Sequence, residues 1–600
     1  MLFGNPERLE PRISPDGKRL AWLAPDDGVL NVWVADADAH DTRPVTRERD
    51  RDLRAFRWAG DGRHLLHWQD VGGDENWHLI ATDLEGGGTR DLTPFDGVQA
   101  QVVRIDDRHP GTIVVGLNHR DPRLHDAYRL DLRTGALELA AENPGFAALV
   151  ADGDLRVRAA LEATDEGGVR IHVRDDERRP WRVLHEGGLE DALTTAPLAF
   201  SRDGSTLFAV SSVGADTGCL VRIDCASGSV EPIVEDPAAD VVDAHFDPDT
   251  LEPQLAVLAK ARTEHVVVDP SVADDLAALD ALEPGDLRLV ARDAADRRWL
   301  VAFDADDGPI RYHLWSRPER RATFLFEHQP ALARYRLARR EPFSLAARDG
   351  LTLHGYLTFP PGSERRALPT VLLVHGGPWA RDYWRFDPEA QWLANRGYLC
   401  VQVNFRGSTG YGKAFTNAGD REWGARMHDD LVDTVRWIAD RGHADPQRVG
   451  IMGGSYGGYA ALVGAAFTPE LFRCAVDVVG PSNLITLLES IPPYWMPLRS
   501  LFARRVGDLD TDRELLWSRS PLSRVDRIRI PILIAQGAND PRVKQAESEQ
   551  IVAALREKGV PHDYLLFEDE GHGFVRPENR LRFYAAAERF LARHLGGRSA

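Results

Sequence analysis

Six hundred residues with 43% hydrophobic content exceed one ordinary core and suffice to fill several, so the chain is read as globular and multidomain. With 73 Lys+Arg against 93 Asp+Glu, the net charge of −20 argues against a nucleic-acid backbone or an anionic membrane as the main partner. Cys219, Cys225, Cys400 and Cys474 are scattered without metal-ligand spacing. They are read as buried free thiols, with a Cys219–Cys225 disulfide as the alternative. Met1 is not followed by a basic-then-apolar leader, and no apolar run matches a bilayer-spanning helix, so a cytoplasmic protein is expected.

The first half is a run of short β-like segments divided by Asp/Gly/Pro turns, as in SPDGKRLAWL at Ser14, AGDGRHLLHW at Ala59 and SRDGSTLFAV at Ser201. Aligning the turn aspartates on Asp16, Asp61, Asp107, Asp152, Asp203, Asp249 and Asp296 gives intervals of roughly 45 to 51 residues, the length of one four-stranded propeller blade. A turn Asp bonds its own backbone two residues on, and a small sheet buries its faces only against neighbouring sheets. Residues 1–340 are therefore expected to form a β-propeller of seven blades. The Ala/Leu/Asp-rich stretch from Ser271 breaks the rhythm and is expected to be a short surface helix.

From Glu341 to the C-terminus, apolar strands alternate with helical segments, the pattern of a largely parallel α/β sheet. Strands are expected at 370–375, 399–404, 448–452, 532–536 and 564–567, with helices over 427–441, 545–558 and 581–594. Gly453-Gly454-Ser455-Tyr456-Gly457 fits G-x-S-x-G between a strand and a helical segment, the strand-elbow-helix that holds a serine in a strained, exposed turn. A serine hydroxyl needs a base, and the base needs a partner that fixes its tautomer. In the α/β-hydrolase order these follow the serine, and Asp540 after ILIAQ and His572 after YLLF occupy those places. Asp569 and Glu570 are rival carboxylates beside the histidine in sequence, and His562 precedes its strand, at the wrong end of the sheet. The oxyanion needs preorganised donors. The amide of Tyr456 supplies one, and the His375-Gly376-Gly377 turn after an earlier strand supplies the other, through Gly377 or, second, Gly376.

HGGPWARD at His375, NFRGSTGYG at Asn404, GGSYGGY at Gly453, GANDPRV at Gly537 and DEGHGF at Asp569 together resemble the prolyl oligopeptidase family of serine peptidases. Within it they look closest to the acylaminoacyl-peptidase and dipeptidyl-aminopeptidase-like branch. The resemblance in motif spans about residues 341–600, and in architecture the whole chain. It implies an N-terminal propeller that caps a C-terminal α/β-hydrolase domain and admits only short or unfolded peptides. It also implies that Arg542, two residues after the triad aspartate, bonds a substrate carbonyl. Tyr494 and Trp495, in the segment after the elbow, are candidates for the pocket before the scissile bond, with core or lid packing as the other account. The dipeptidyl peptidases of the family hold a free N-terminus on adjacent propeller glutamates. The nearest pair here, Asp74-Glu75, is read as a blade turn, which weighs against a strict dipeptidyl peptidase.

The expectation is peptide hydrolysis through an acyl-enzyme on Ser455, with neither metal nor cofactor, by an exopeptidase or oligopeptidase of acylaminoacyl-peptidase type. A carboxypeptidase-like variant and an esterase on small acyl esters share the same triad. A non-catalytic propeller scaffold is disfavoured because serine, aspartate, histidine and both glycine turns are all present. Related enzymes are often oligomers, so the resemblance leaves room for a homo-oligomer.

Overall fold

A computed structural model describes residues 1–37 and 40–599. Seven small antiparallel sheets occupy 9–44, 56–91, 100–141, 148–187, 196–234, 241–267 and 286–327. Each has four strands in sequence order, except the sixth, with three. The first strand of the first blade touches those of the second and seventh, and that of the fourth touches those of the third and fifth. No strand is shared between the first and last blades. The ring closes instead by packing Ile13, Leu20 and Trp22 against Leu300, Tyr312 and Phe326, and through a bond from the Ala294 amide to the Pro15 carbonyl, 2.8 Å.

All seven aligned aspartates fall in the turn between the first and second strands of a blade. Asp16, Asp61, Asp152 and Asp203 accept the amide two residues on, at 2.9–3.0 Å. In the other three blades the alignment is off by one to three residues. The carboxylates that accept the turn amides there are Asp106, Asp247 and Asp293, while Asp107 and Asp249 share the turn and Asp296 accepts from Trp299 Nε1. The stretch from Ser271 is helical over Ala273–Asp280, but it is not a simple surface helix. Leu276 and Leu279 enter a core with Trp299 and Trp315, and Asp275 accepts from Trp315 Nε1 at 2.9 Å.

The second half is built on eight strands: β1 (Arg340–Ala346), β2 (Thr352–Thr358), β3 (Leu368–Val374), β4 (Leu399–Asn404), β5 (Ala444–Gly454), β6 (Cys474–Val478), β7 (Ile532–Gly537) and β8 (His562–Phe567). Their order is β1-β2-β4-β3-β5-β6-β7-β8. Only β2 runs against the rest. Such a sheet must be covered on both faces. Helices Arg426–Asp440, Tyr456–Phe467 and Gln545–Glu557 cover one face, and Pro388–Asn395 and Pro577–Leu595 the other. The four cysteines are buried and unpaired. No helix among the described residues is long and apolar enough to cross a membrane.

The propeller meets this sheet domain through its second-to-third-strand turns and inter-blade loops. Lys413 Nζ bonds Asp191 at 2.7 Å, Arg381 donates to the carbonyls of Ala259 and Lys260, and Asp240 accepts from the Gly410 and Gly412 amides. The aspartate turns lie at the opposite ends of the blades. Strand ends that carry chemistry therefore face the propeller.

Candidate active site

Strand β5 ends directly in Ser455, whose φ of 58° and ψ of −120° put it in a strained turn ahead of helix Tyr456–Phe467. The Ser455 amide donates to Val478 on the neighbouring β6, 2.8 Å, which anchors the turn. Gly453 and Gly457 press against β3: a Cβ on either would run into the Val374 carbonyl, so side chains are excluded on both sides of the serine. Tyr456 opens the helix, where amides have no intrahelical acceptor. The His375-Gly376-Gly377 turn runs beside this elbow, since a Cβ on Gly376 would lie 3.5 Å from that of Ser455. Gly377 has a φ of +122° and is exposed. His375 braces the turn, its Nδ1 2.8 Å from the Gly376 carbonyl and its ring stacked on Phe405.

Asp540 lies just beyond β7 and His572 beyond β8, so both stand at the same sheet edge as Ser455. Asp540 Oδ2 is 2.7 Å from His572 Nδ1. Its Oδ1 accepts the Arg542 and Val543 amides at 2.8 and 3.0 Å, and the carboxylate is fully buried. Such a carboxylate fixes the ring and leaves Nε2 free to act as base. The rival carboxylates are engaged elsewhere. Asp569 pairs with Arg576, and Glu570 with Arg51 and the Arg576 amide. His562 starts β8 at the far edge, bonded to the Val560 carbonyl.

Blade 2 reaches into this edge with residues 70–76, between its second and third strands. The Gly72 carbonyl accepts from Asn539 Nδ2 at 3.0 Å, and Gly73 packs on Gly571, next to His572. Arg51, ahead of the same blade, bonds Asp70 at 3.0 Å, Glu570 at 2.8 Å and the Asp569 carbonyl at 3.1 Å. These bonds fasten the propeller to the histidine loop.

The blade-turn reading of Asp74-Glu75 holds for the first residue only. Asp74 Oδ1 accepts the Val71 and Asn76 amides. Glu75, with a φ of +60°, instead sends a buried carboxylate out of the propeller. Its Oε2 accepts from Tyr494 Oη at 2.8 Å, and Arg542 Nε lies 2.9 Å from its Oε1. Burial and the Glu75 charge both push the Tyr494 phenol above its usual range. Burial works against the Arg542 charge, but the carboxylates and phenol around it, Glu75 foremost, raise its pKa overall. Trp495 lies beneath the Arg542 guanidinium, 5.9 Å away, and stacks on Phe502, which touches Trp379 beyond the glycine turn. Arg542, Tyr494 and Trp495 are thus assembled with Glu75, into an aromatic wall running from the glycine turn to a carboxylate. Glu75 stands out in the sequence only as part of a blade turn, and nothing in the local sequence marks Arg51 or Gly73, whose partners lie hundreds of residues away. No cluster of three or more His, Cys, Asp or Glu with metal-binding geometry occurs among the described residues.

The sequence model of the prolyl oligopeptidase family matches residues 384–598. Dipeptidyl aminopeptidase BIII of Pseudoxanthomonas mexicana is 47% identical over 609 residues, covering 100% of this chain and 88% of that protein. Dipeptidyl peptidase family member 6 of Caenorhabditis elegans is 35% identical, covering 100% and 86%. Among solved structures, a puromycin-hydrolyzing peptidase of Mycobacterium tuberculosis superposes with a TM-score of 0.80 at 21% identity, covering 100% of this chain and 96% of that one. That likeness supports the propeller-plus-hydrolase fold.

Proposed function

This chain belongs to the prolyl oligopeptidase family and is a serine peptidase, and from that premise we propose that it removes dipeptides from free N-termini. The Ser455 hydroxyl attacks the second peptide carbonyl while His572 takes its proton and passes it to the leaving amine. Asp540 steadies the imidazolium. The amides of Tyr456 and Gly377, with Gly376 as the second choice, hold the oxyanion. Water then releases the dipeptide from Ser455 by the same steps in reverse.

The observation that carries the dipeptidyl reading is the Glu75 carboxylate held between Arg542 and Tyr494. A substrate ammonium placed on Glu75 gains a charge-assisted bond in a desolvated site, and Arg542 remains close enough to bond the first carbonyl. The aromatic wall of Tyr494, Trp495 and Phe502 then faces the side chain before the scissile bond. An acylated N-terminus carries no charge and gains no such bond from Glu75, so the acylaminoacyl reading is the weaker. The propeller over the site favours short or unfolded peptides over folded proteins and over simple esters. Four buried free thiols favour a reducing, cytoplasmic setting.

The test is mass spectrometry of one tetrapeptide with its N-terminus free or acetylated, incubated with wild type and with Ser455→Ala. Release of a dipeptide from the free form alone, lost in Ser455→Ala, is expected. Equal cleavage of the acetylated form would return the reading to acylaminoacyl release.

A further inference from the structure

The first strands of blades 2 and 3, Phe56–Trp58 and Ala100–Arg104, leave between them a groove of about 740 Å³. Trp58, Trp68 and Trp77 wall it, and Arg54, Arg57 and Arg104 supply its charge. The groove begins at the site already described. Trp77 follows Glu75 by two residues and its carbonyl accepts the Ala100 amide at 2.8 Å, while Gln99 Nε2 donates to the Glu75 carbonyl at 2.9 Å. An N-terminal residue anchored on Glu75 would therefore turn its side chain toward this opening.

The three cations differ in their bonding partners. Arg104 bonds Asp106 at 2.9 Å. Arg57 donates to the Phe56 carbonyl, 3.2 Å. Arg54 makes no hydrogen bond or ion pair among the described residues, although its surface is open to the groove. Arg54 is exposed at the groove lining, beside Trp58, Trp68 and Trp77. A cation without a partner, set between aromatic walls, can take a charge-assisted bond from a ligand carboxylate.

We infer that this groove is the subsite for the side chain of the substrate's N-terminal residue, and that it selects aspartate or glutamate, with the side-chain carboxylate on Arg54. The tryptophan walls cover the methylenes of such a side chain. An aromatic residue would fill the walls but leave Arg54 unpaired, and a lysine would add a like charge. The inference rests on the dipeptidyl reading, because only a substrate anchored on Glu75 ends at the mouth of the groove.

The test is kcat/KM for X-Ala aminomethylcoumarin amides, with X as Glu, Gln, Phe or Lys, on wild type, Arg54→Gln and Arg54→Lys. Glu is expected to exceed its neutral isostere Gln by about tenfold, the worth of one charge-assisted bond, and to exceed Lys by more. Arg54→Gln should erase the Glu-over-Gln ratio, and Arg54→Lys should keep part of it. Equal rates for Glu and Gln in wild type overturn the inference. So does a loss in Arg54→Gln that is the same for every X, because Arg54 would then serve the substrate backbone. The dipeptidyl reading fails separately, if acetyl-X-Ala substrates are cleaved as fast as free ones. That outcome overturns the inference as well, since it requires the free N-terminus to be held at Glu75.

Discussion

Gly73 of the propeller and Gly571 of the histidine loop meet backbone to backbone, so closely that a Cβ on either would overlap the other's main chain. Gly571 precedes His572, and Gly73 precedes Asp74-Glu75. One contact therefore sets the distance between the proposed general base and the proposed anchor for the substrate's N-terminus.

Replacing Gly73 by alanine should push the two loops apart while leaving both cores intact. Its φ of +91° adds about 1 kcal/mol of strain for a residue with a Cβ. The expected outcome is a loss of kcat/KM of tenfold or more, on the order expected for small displacements of reacting groups, with a melting temperature within a few degrees of wild type. Steady-state kinetics beside a thermal melt check this. Unchanged kinetics would mean that the loops position nothing.

Arg51 makes the second link. Its guanidinium is nearly buried between Asp70, 1% exposed, and Glu570, 0% exposed. Arg51→Met leaves two buried carboxylates without a counter-charge, a loss of about 3 kcal/mol. A partner change, Glu570→Gln, removes one of those orphans and should restore part of the stability in the double variant. Denaturant titration of the four proteins measures the coupling. If the single losses simply add, the bridge carries no energy of its own.

Much of the fold was legible in the sequence because it is periodic: the aspartate turns recur blade by blade, and the elbow sits where an apolar strand meets a helix. The three misplaced turn aspartates share a cause. Each lies within three residues of another aspartate, and spacing alone cannot say which one bonds the backbone. Strand β6 escaped because Cys474–Val478 is short and interrupted by Asp477. Strands β1 and β2 escaped because Pro342, Ser344 and Gly355 blur their apolar pattern. In the site, strand order alone pointed to Asp540 and His572. Glu75 was hidden for another reason. Its neighbour Asp74 really does make the turn, and Glu75 departs from it only through a positive φ and a partner 467 residues away.

That departure makes Glu75 the sharpest test of the function. Glu75→Gln keeps the shape and removes the charge. Activity on a free dipeptidyl amide should fall by about a hundredfold, the worth of a desolvated charge-assisted bond, while any slow cleavage of its acetylated analogue is spared. The diagnostic quantity is the free-to-acetylated ratio of kcat/KM. A ratio that Glu75→Gln does not move would detach Glu75 from the ammonium and remove the basis for the dipeptidyl assignment.

Four histidines should make stability depend on acid. Burial pulls His67, His125, His328 and His428 down to about 4, against about 6.5 in the unfolded chain. Each is neutral when folded and protonates on unfolding. Their contribution is therefore complete above about pH 6.5 and lost progressively as pH falls toward 4, at up to about 1.4 kcal/mol per unit for each ring. His67 isolates the effect, because it is fully buried and neither ring nitrogen has a partner. His67→Leu strands no polar group and cannot take the proton. Melting curves from pH 8 to 4.5 should show a shallower acid limb for the variant than for wild type. The comparison cancels the buried carboxylates, which are common to both. Parallel limbs would mean that His67 is protonated as readily in the folded chain as in the unfolded one.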